Sequence, residues 1–324
     1  MTFPNRFLGR NGPAVSAIGL GCMGMSDFYG PSVRTDALQT IDRALEAGIT
    51  LLDTGDFYGM GDNEMLLAEA LQGTGKNKRD RAFIQVKFGA QRGPDGAFLG
   101  TDARPAAVKT ALAYSLKRLK TDYVDLYMTG LDPTVPIEET IGAMADLVEQ
   151  GYVRHIGISN LDAAIIRRAH ATHPITALQY EYSVISRDME AEILPLCREL
   201  GIGITAYGVL GRGLLTGSTG AGETDWRSKI LPRFQGENLE ANRKLVAVLQ
   251  DFARQEGLSP AQAAIAWVAS QGEDIIPLVG ARTLARLEEA IASPLKLPAG
   301  ILARMEKALP TDQVQGSRLM SLRR

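Results

Sequence analysis

Two short stretches carry side chains that could move a proton. In Leu51-Leu52-Asp53-Thr54-Gly55-Asp56-Phe57-Tyr58-Gly59 a carboxylate ends an apolar run and a phenol follows in the loop. In Gln85-Val86-Lys87-Phe88 an ammonium stands at the end of a second run. An ammonium near a phenol favours the phenolate. At ~4 Å and an effective dielectric of ~20 the attraction is about 4 kcal/mol, or roughly three pKa units. That would bring Tyr58 from ~10 toward ~7, the range of a useful general acid at neutral pH. Asp53 would hold Lys87 charged and oriented. The alternative is a structural Asp53–Lys87 ion pair beside a solvent-facing tyrosine.

For these groups to meet, neighbouring strands must carry them. Eight β-rich runs recur: Ser16–Gly21, Ile49–Asp53, Ala82–Phe88, Tyr123–Met128, Val153–Ile158, Ala177–Tyr180, Ile202–Tyr207 and Ile275–Val279. They are nearly continuous in apolar residues, as strands buried on both faces of a parallel sheet are. Helical patterns separate them. Val108, Ala111, Leu112, Ser115, Leu116 and Leu119 share one helix face, with Asp102 expected as a cap before Pro105. Ile137, Ile141, Met144, Ala145 and Val148 share another, between Pro136 and Gly151. Such alternation predicts an α/β fold, a (β/α)8 TIM barrel with its site at the C-terminal mouth. A hairpin, Arg6–Leu8 with Ala14–Ile18, is expected to plug the barrel bottom. Extra helices, Leu239–Glu256, Pro260–Ser270 and one within Ala299–Arg324, are expected toward the C-terminus. The Gly-rich stretch 208–235, with Trp226, reads as a functional loop. Residues 1–324 read as one domain.

Composition narrows the partners. The 324 residues carry 35 basic and 37 acidic side chains, a net charge of −2. No basic excess drives binding to nucleic acid or to an anionic membrane. No apolar run approaches the ~18 residues that span a bilayer. The two cysteines, Cys22 and Cys197, form no disulfide framework and suit a reducing compartment. A cytoplasmic enzyme is expected, with no metal site. Gly19-Leu20-Gly21-Cys22-Met23-Gly24 matches a dinucleotide-binding GxGxxG, yet the residues that follow read as loop, so a tight turn is expected there.

Taken together, the motifs resemble the aldo-keto reductase family over residues 5–295. The matching pieces are the hairpin with Ile18-Gly19-Leu20-Gly21, the Asp53, Tyr58 and Glu64 signature, and Lys87. Gly157-Ile158-Ser159-Asn160, Leu178-Gln179-Tyr180-Glu181-Tyr182 and the run Ala206–Gly213 follow in the family's order. The resemblance implies NADPH-dependent carbonyl reduction, with Tyr58 as proton donor and Lys87 and Asp53 tuning it. It implies that Ser159, Asn160 and Gln179 hold the nicotinamide carboxamide and that Tyr207 stacks on the ring. Gly21 and Met23 would border the cofactor. The backbone of Gly208, Leu210, Gly211, Arg212 and Gly213 would cover the pyrophosphate. Gly280, Arg282, Arg286 and Glu289 match the adenosine end, where two guanidinium forks would grip a 2′-phosphate. The alternative for Arg282 and Arg286 is two solvated helix arginines.

This chain departs from the family twice. Ala290 stands where the family usually has asparagine. After the fourth strand, Thr129 or Gly130 stands where most members have a histidine that hydrogen-bonds the substrate carbonyl. His155, His170 and His173 are expected elsewhere. The chain therefore resembles histidine-lacking, pyridoxal-reductase-like members. Tyr58 would work alone, or Thr129 or a water would give the second hydrogen bond, or the freed space would admit a bulkier ketone. Phe28, Tyr29, Phe57, Phe88, Met128, Thr129 and Trp226 are the expected substrate pocket; the aromatic and methionine side chains among them could equally be packing residues. A small carbonyl compound is the expected partner, and self-association is not legible. The competing reading is a cofactor-sensing binding subunit with little turnover; a nicotinamide-free isomerase or lyase is a third.

Overall fold

The eight expected runs each contribute one strand to a closed parallel barrel in the computed structural model, which describes residues 3–26, 28–72, 78–217 and 226–318. In chain order the strands are β1 Asn5–Phe7, β2 Ala14–Ser16, β3 Gly19–Gly21, β4 Leu51–Gly55, β5 Phe83–Phe88, β6 Ala90–Arg92, β7 Phe98–Thr101, β8 Val124–Thr129, β9 Val153–Ser159, β10 Ala177–Glu181, β11 Gly203–Tyr207 and β12 Ile275–Gly280. The barrel runs β3-β4-β5-β8-β9-β10-β11-β12 and closes from β12 to β3.

Both strand faces are apolar because both are covered. Leu52, Ile84, Val86, Tyr127, Ile156 and Ile204 pack outward into the cluster that the helices share. Leu51, Leu126, Met128, Ala177, Ile276 and Leu278 point inward and form the barrel floor. The antiparallel β1–β2 hairpin closes that floor from below, since Leu8 and Val15 belong to the same inner cluster. Arg6 fastens it. Its guanidinium donates to the carbonyls of Ala269 (2.8 Å), Gly272 (3.1 Å), Ile275 (2.8 Å) and Leu295 (3.1 Å).

Several local expectations shift. The first run divides: Ser16 ends the hairpin and the barrel strand spans only Gly19–Gly21. The Ser16 hydroxyl causes the break, accepting from Thr50 N–H (2.9 Å) and donating to Ile18 O (2.7 Å). Asp102 does not cap the helix Pro105–Leu119; Arg104 stands at that cap, and Asp102 accepts its N–H instead (3.2 Å). The GxGxxG segment opens no long helix, only a short 3₁₀ turn, Met23–Met25. The second hairpin, β6–β7, lies beside the mouth after β5 and was not expected. The helices Gly236–Gln255 and Pro260–Ser270 form as expected, the second behind a Ser259/Gln262 capping box. A C-terminal helix spans Ala299–Ala308. Among the described residues no helix is long and apolar enough to cross a membrane.

Candidate active site

Strand register brings Asp53 and Lys87 together. Along β4 and β5, Asp53, Gln85 and Lys87 share the inward face with Leu51 and Phe83, one and two levels above the apolar floor. Asp53 is 5% exposed and Lys87 8%. Lys87 Nζ donates to Asp53 Oδ1 at 2.5 Å. Gln85 Nε2 donates to the same oxygen at 2.6 Å, and Gln179 Nε2, from β10, at 2.9 Å. A buried carboxylate with three donors on one oxygen is locked in place. Sequence reasoning missed Gln85. The signal was available in the period-2 alternation that also turns Lys87 inward.

Tyr58 sits above this group on the short turn Tyr58–Gly61 after β4. Its ring centroid lies 4.9 Å from Lys87 Nζ. The expected lowering of its pKa is reversed here. Burial pushes the phenol well above its ordinary value, and the Asp53 carboxylate pushes it further. The Lys87 charge is already taken up by Asp53. Tyr58 is therefore a fully protonated phenol across the neutral range, which is the form a proton donor needs.

The mouth above Tyr58 opens into a cleft of about 460 Å³. At its near end stand Ser159, Asn160, Gln179 and Tyr207. The Asn160 amide donates to Ser159 Oγ (3.1 Å), and Tyr207 Oη donates to Asn160 Oδ1 (3.1 Å). Asn160 takes a left-handed backbone, φ 53°, which asparagine tolerates better than most residues. Burial and Glu181 push the Tyr207 phenol up to about 12. Along one wall run Gly208, Leu210, Arg212 and Gly213; Gly211 lies in the same turn, behind the lining. Arg212 pairs with the buried Glu181 (3.3 Å). Gly21 and Met23 line the opposite side, and Gly280 faces Gly21 across adjacent strand ends.

Positive charge gathers at the far end. Arg227, Arg282 and Arg286 line the cleft there with Glu289 and Ala290. Burial, then the neighbouring charges of Arg286 and Arg227, depress the Arg282 guanidinium. Arg282 also reaches across to the Tyr29 carbonyl (2.7 Å). Glu289 accepts from Ser259 Oγ (2.5 Å). Arg227 carried no sequence signal of its own.

The aromatic residues divide. Phe57 packs edge-on to Tyr58 (4.8 Å between centroids), Phe28 contacts Tyr58 (6.4 Å) and Trp226 (5.8 Å), and Tyr29 contacts Trp226 (6.0 Å). These four form a wall beside Tyr58. The other three expected pocket residues lie elsewhere. Phe88 points outward and stacks on Tyr127 at 4.3 Å. Met128 is fully buried in the barrel interior, against Gly157. The Thr129 hydroxyl donates to Gly130 O (3.1 Å) and is buried outside the cleft. For Phe88 and Thr129 the reason is register, since one residue's step along a strand changes the face; Met128 keeps the inward face, beside Lys87, and packs into the barrel interior. His155 stacks on Phe83 in the lower half of the barrel, and His173 ends the helix Ala163–Thr172.

The donor set suits an extended anionic cofactor. Three arginines offer positive charge at one end, amide and hydroxyl groups offer hydrogen bonds at the other, and the floor between is glycine. A Cβ on Gly21 or Gly280 would project into that groove, with nearest neighbours no closer than 3.6 Å.

Comparison with known proteins follows the same lines. The aldo/keto reductase family model matches residues 17–309. A probable aldo-keto reductase of Glycine max is 43% identical over 319 residues, covering 96% of this chain and 90% of that protein. The glycerol dehydrogenase of Gluconobacter oxydans is similar in structure, with a TM-score of 0.82 at 27% identity over 94% of each chain. A thermostable aldo-keto reductase solved with the inhibitor epalrestat gives 0.75 at 27% identity, over 94% of this chain and all of that one. An aldo/keto reductase of Klebsiella pneumoniae, solved with NADP and acetate, shares the fold at 24% identity and a TM-score of 0.71, over 97% of this chain and 98% of that one.

Proposed function

This chain belongs to the aldo/keto reductase family of NAD(P)H-dependent oxidoreductases, and from that premise we propose that it reduces an aldehyde or ketone to an alcohol with NADPH, Tyr58 giving the proton. The observation that carries this reading is the Asp53–Lys87 pair beneath a buried, protonated phenol at one end of an arginine-lined cleft. NADPH bound in the cleft supplies the hydride. The chain's own residues do the rest. Tyr58 donates its proton to the carbonyl oxygen. Lys87, held by Asp53, offers positive charge to the phenolate that remains.

Gln179 has its Nε2 committed to Asp53, so the group it offers a carboxamide is its carbonyl oxygen. Ser159 and Asn160 supply the partner hydrogen bonds, and Tyr207 the stacking face. Arg282 and Arg286, with Arg227, favour NADPH over NADH by attracting the extra phosphate. Thr129 is turned to Gly130, so a water or an enlarged pocket is the better reading of the absent histidine. The aromatic wall supports a bulky ketone as well as an aldehyde. Cys22 and Cys197 are both free and buried, which supports a reducing, cytoplasmic setting.

The test is cofactor oxidation against a panel of aldehydes and bulky ketones, with NADPH and NADH in parallel. Tyr58→Phe should lose about 100-fold or more in kcat while still binding NADPH. Wild-type turnover in that variant sinks the mechanism. Tight NADPH binding without turnover of any carbonyl favours the cofactor-sensing subunit.

A further inference from the structure

Beneath the Tyr58 turn lies a second acidic group that the proton-donor reading does not use. Asp56 follows β4 by one residue, and its Oδ1 is buried with no hydrogen-bond partner among the described residues. Glu64, on the helix Asp62–Leu71, is fully buried nearby. One guanidinium serves both: Arg118, from the helix Pro105–Leu119, is bonded to Glu64.

The cluster grips the turn at both ends. Upstream, Asp56 N–H donates to Lys87 O (2.9 Å). Downstream, Arg118 crosses directly over Gly61, where a Cβ would lie 2.7 Å from its Cδ. Gly61 has φ 97°, so only glycine suits both the backbone and the crossing. Resting on the reading of Tyr58 as proton donor, we propose that the buried Asp56/Glu64 pair holds one proton, carried by Asp56, and that this neutral Asp56 is a positioning residue that keeps the Tyr58 turn in place.

Charge supports the assignment of that proton. The titratable and charged groups facing Asp56 are Glu64, Arg118 and Tyr127 of β8. Lys87 turns only its carbonyl to it, the ammonium being held by Asp53. Burial raises Glu64 too, and its Oε1 also has no partner among the described residues; the direct bond to Arg118 is what leaves the negative charge on Glu64. Burial, then the Glu64 carboxylate, pushes Asp56 up to about 7. Above that pH two buried anions would share one half-buried cation, water would enter, and the turn would loosen.

The experiment compares the full-length wild type with Asp56→Asn, whose amide imitates the neutral acid. Amide exchange of the peptide around residues 56–64, corrected for intrinsic rate, is read at about pH 6 and about pH 8.5, with kcat at each pH. The wild type should lose protection and about threefold in kcat as pH rises, and Asp56→Asn should lose neither. Equal exchange changes in the two proteins overturn the proposal. An exchange change without a kcat change overturns the positioning role. If Tyr58→Phe retains full turnover, the reductase mechanism fails, while the exchange comparison still decides the protonation of Asp56. Should Asp56→Asn not fold, Glu64→Gln serves: with its anionic neighbour gone, Asp56 ionises at lower pH and the change at about pH 7 should disappear.

Discussion

A single carboxylate oxygen organises the chemistry. Asp53 Oδ1 accepts from Lys87, Gln85 and Gln179, side chains from two other strands. Gln85 is the support that sequence reasoning overlooked, because a glutamine inside an apolar run carries no motif. Its role predicts that Gln85→Leu lowers kcat by about tenfold, with the KM for NADPH little changed, since one charge-assisted bond of ~1.5–3 kcal/mol is lost beneath the proton donor. Steady-state kinetics with NADPH varied at saturating carbonyl checks this. An unchanged kcat would reduce Gln85 to packing. The Tyr58 pKa shows why residue chemistry needs its surroundings. From the sequence, Lys87 is a charge that lowers a phenol. In the fold that charge is already paired, and burial decides the direction.

At the scale of elements, the turn after β11 decides how the cleft is walled. Gly208 has φ 70°, and a Cβ there would lie 3.0 Å from Glu181 Cγ, the residue that holds Arg212. Gly208→Ala should therefore strain the backbone and displace Glu181 together. We expect a stability loss of about 1–2 kcal/mol and weaker NADPH binding, readable by thermal unfolding with and without NADPH. An equal thermal shift by NADPH in both proteins would show that the wall does not depend on this turn. Elements also explain the three expected pocket residues that lie outside the cleft. Phe88, Met128 and Thr129 end strands near the mouth, but side chains leave a strand in alternation. Phe88 and Thr129 take the outer face, and Met128 sinks into the floor.

For the whole molecule, closure at the bottom supports the site at the top. Leu8 and Val15 complete the inner cluster on which the polar layer of Asp53, Gln85, Lys87 and Gln179 rests. Arg6 holds the hairpin to the segments around β12 through four carbonyls, and it is 7% exposed. Arg6→Ala would remove four hydrogen bonds, two of them buried, at a cost of about 3 kcal/mol. The expected readout is a Tm lowered by about 5 °C. A Tm within about 1 °C of wild type would mean that water replaces the guanidinium without loss.

The sequence by itself determined the barrel and the meeting of Asp53, Tyr58 and Lys87 at its mouth. Apolar strands alternating with amphipathic helices allow few other architectures, and residues at strand ends share one mouth in a parallel barrel. Gln179, Ser159, Asn160 and the 208–213 turn were legible through the family resemblance, whose motifs they carry. Tertiary structure alone decided what depends on register and burial: which strand residues face the cleft, which way the Tyr58 phenol is pushed, and how Asp56 and Glu64 come to share Arg118. Those contacts join residues from separate helices and strands, and no local pattern records them. The β6–β7 hairpin escaped notice on similar grounds, because its short strands, largely outside the core, have little apolar periodicity to read.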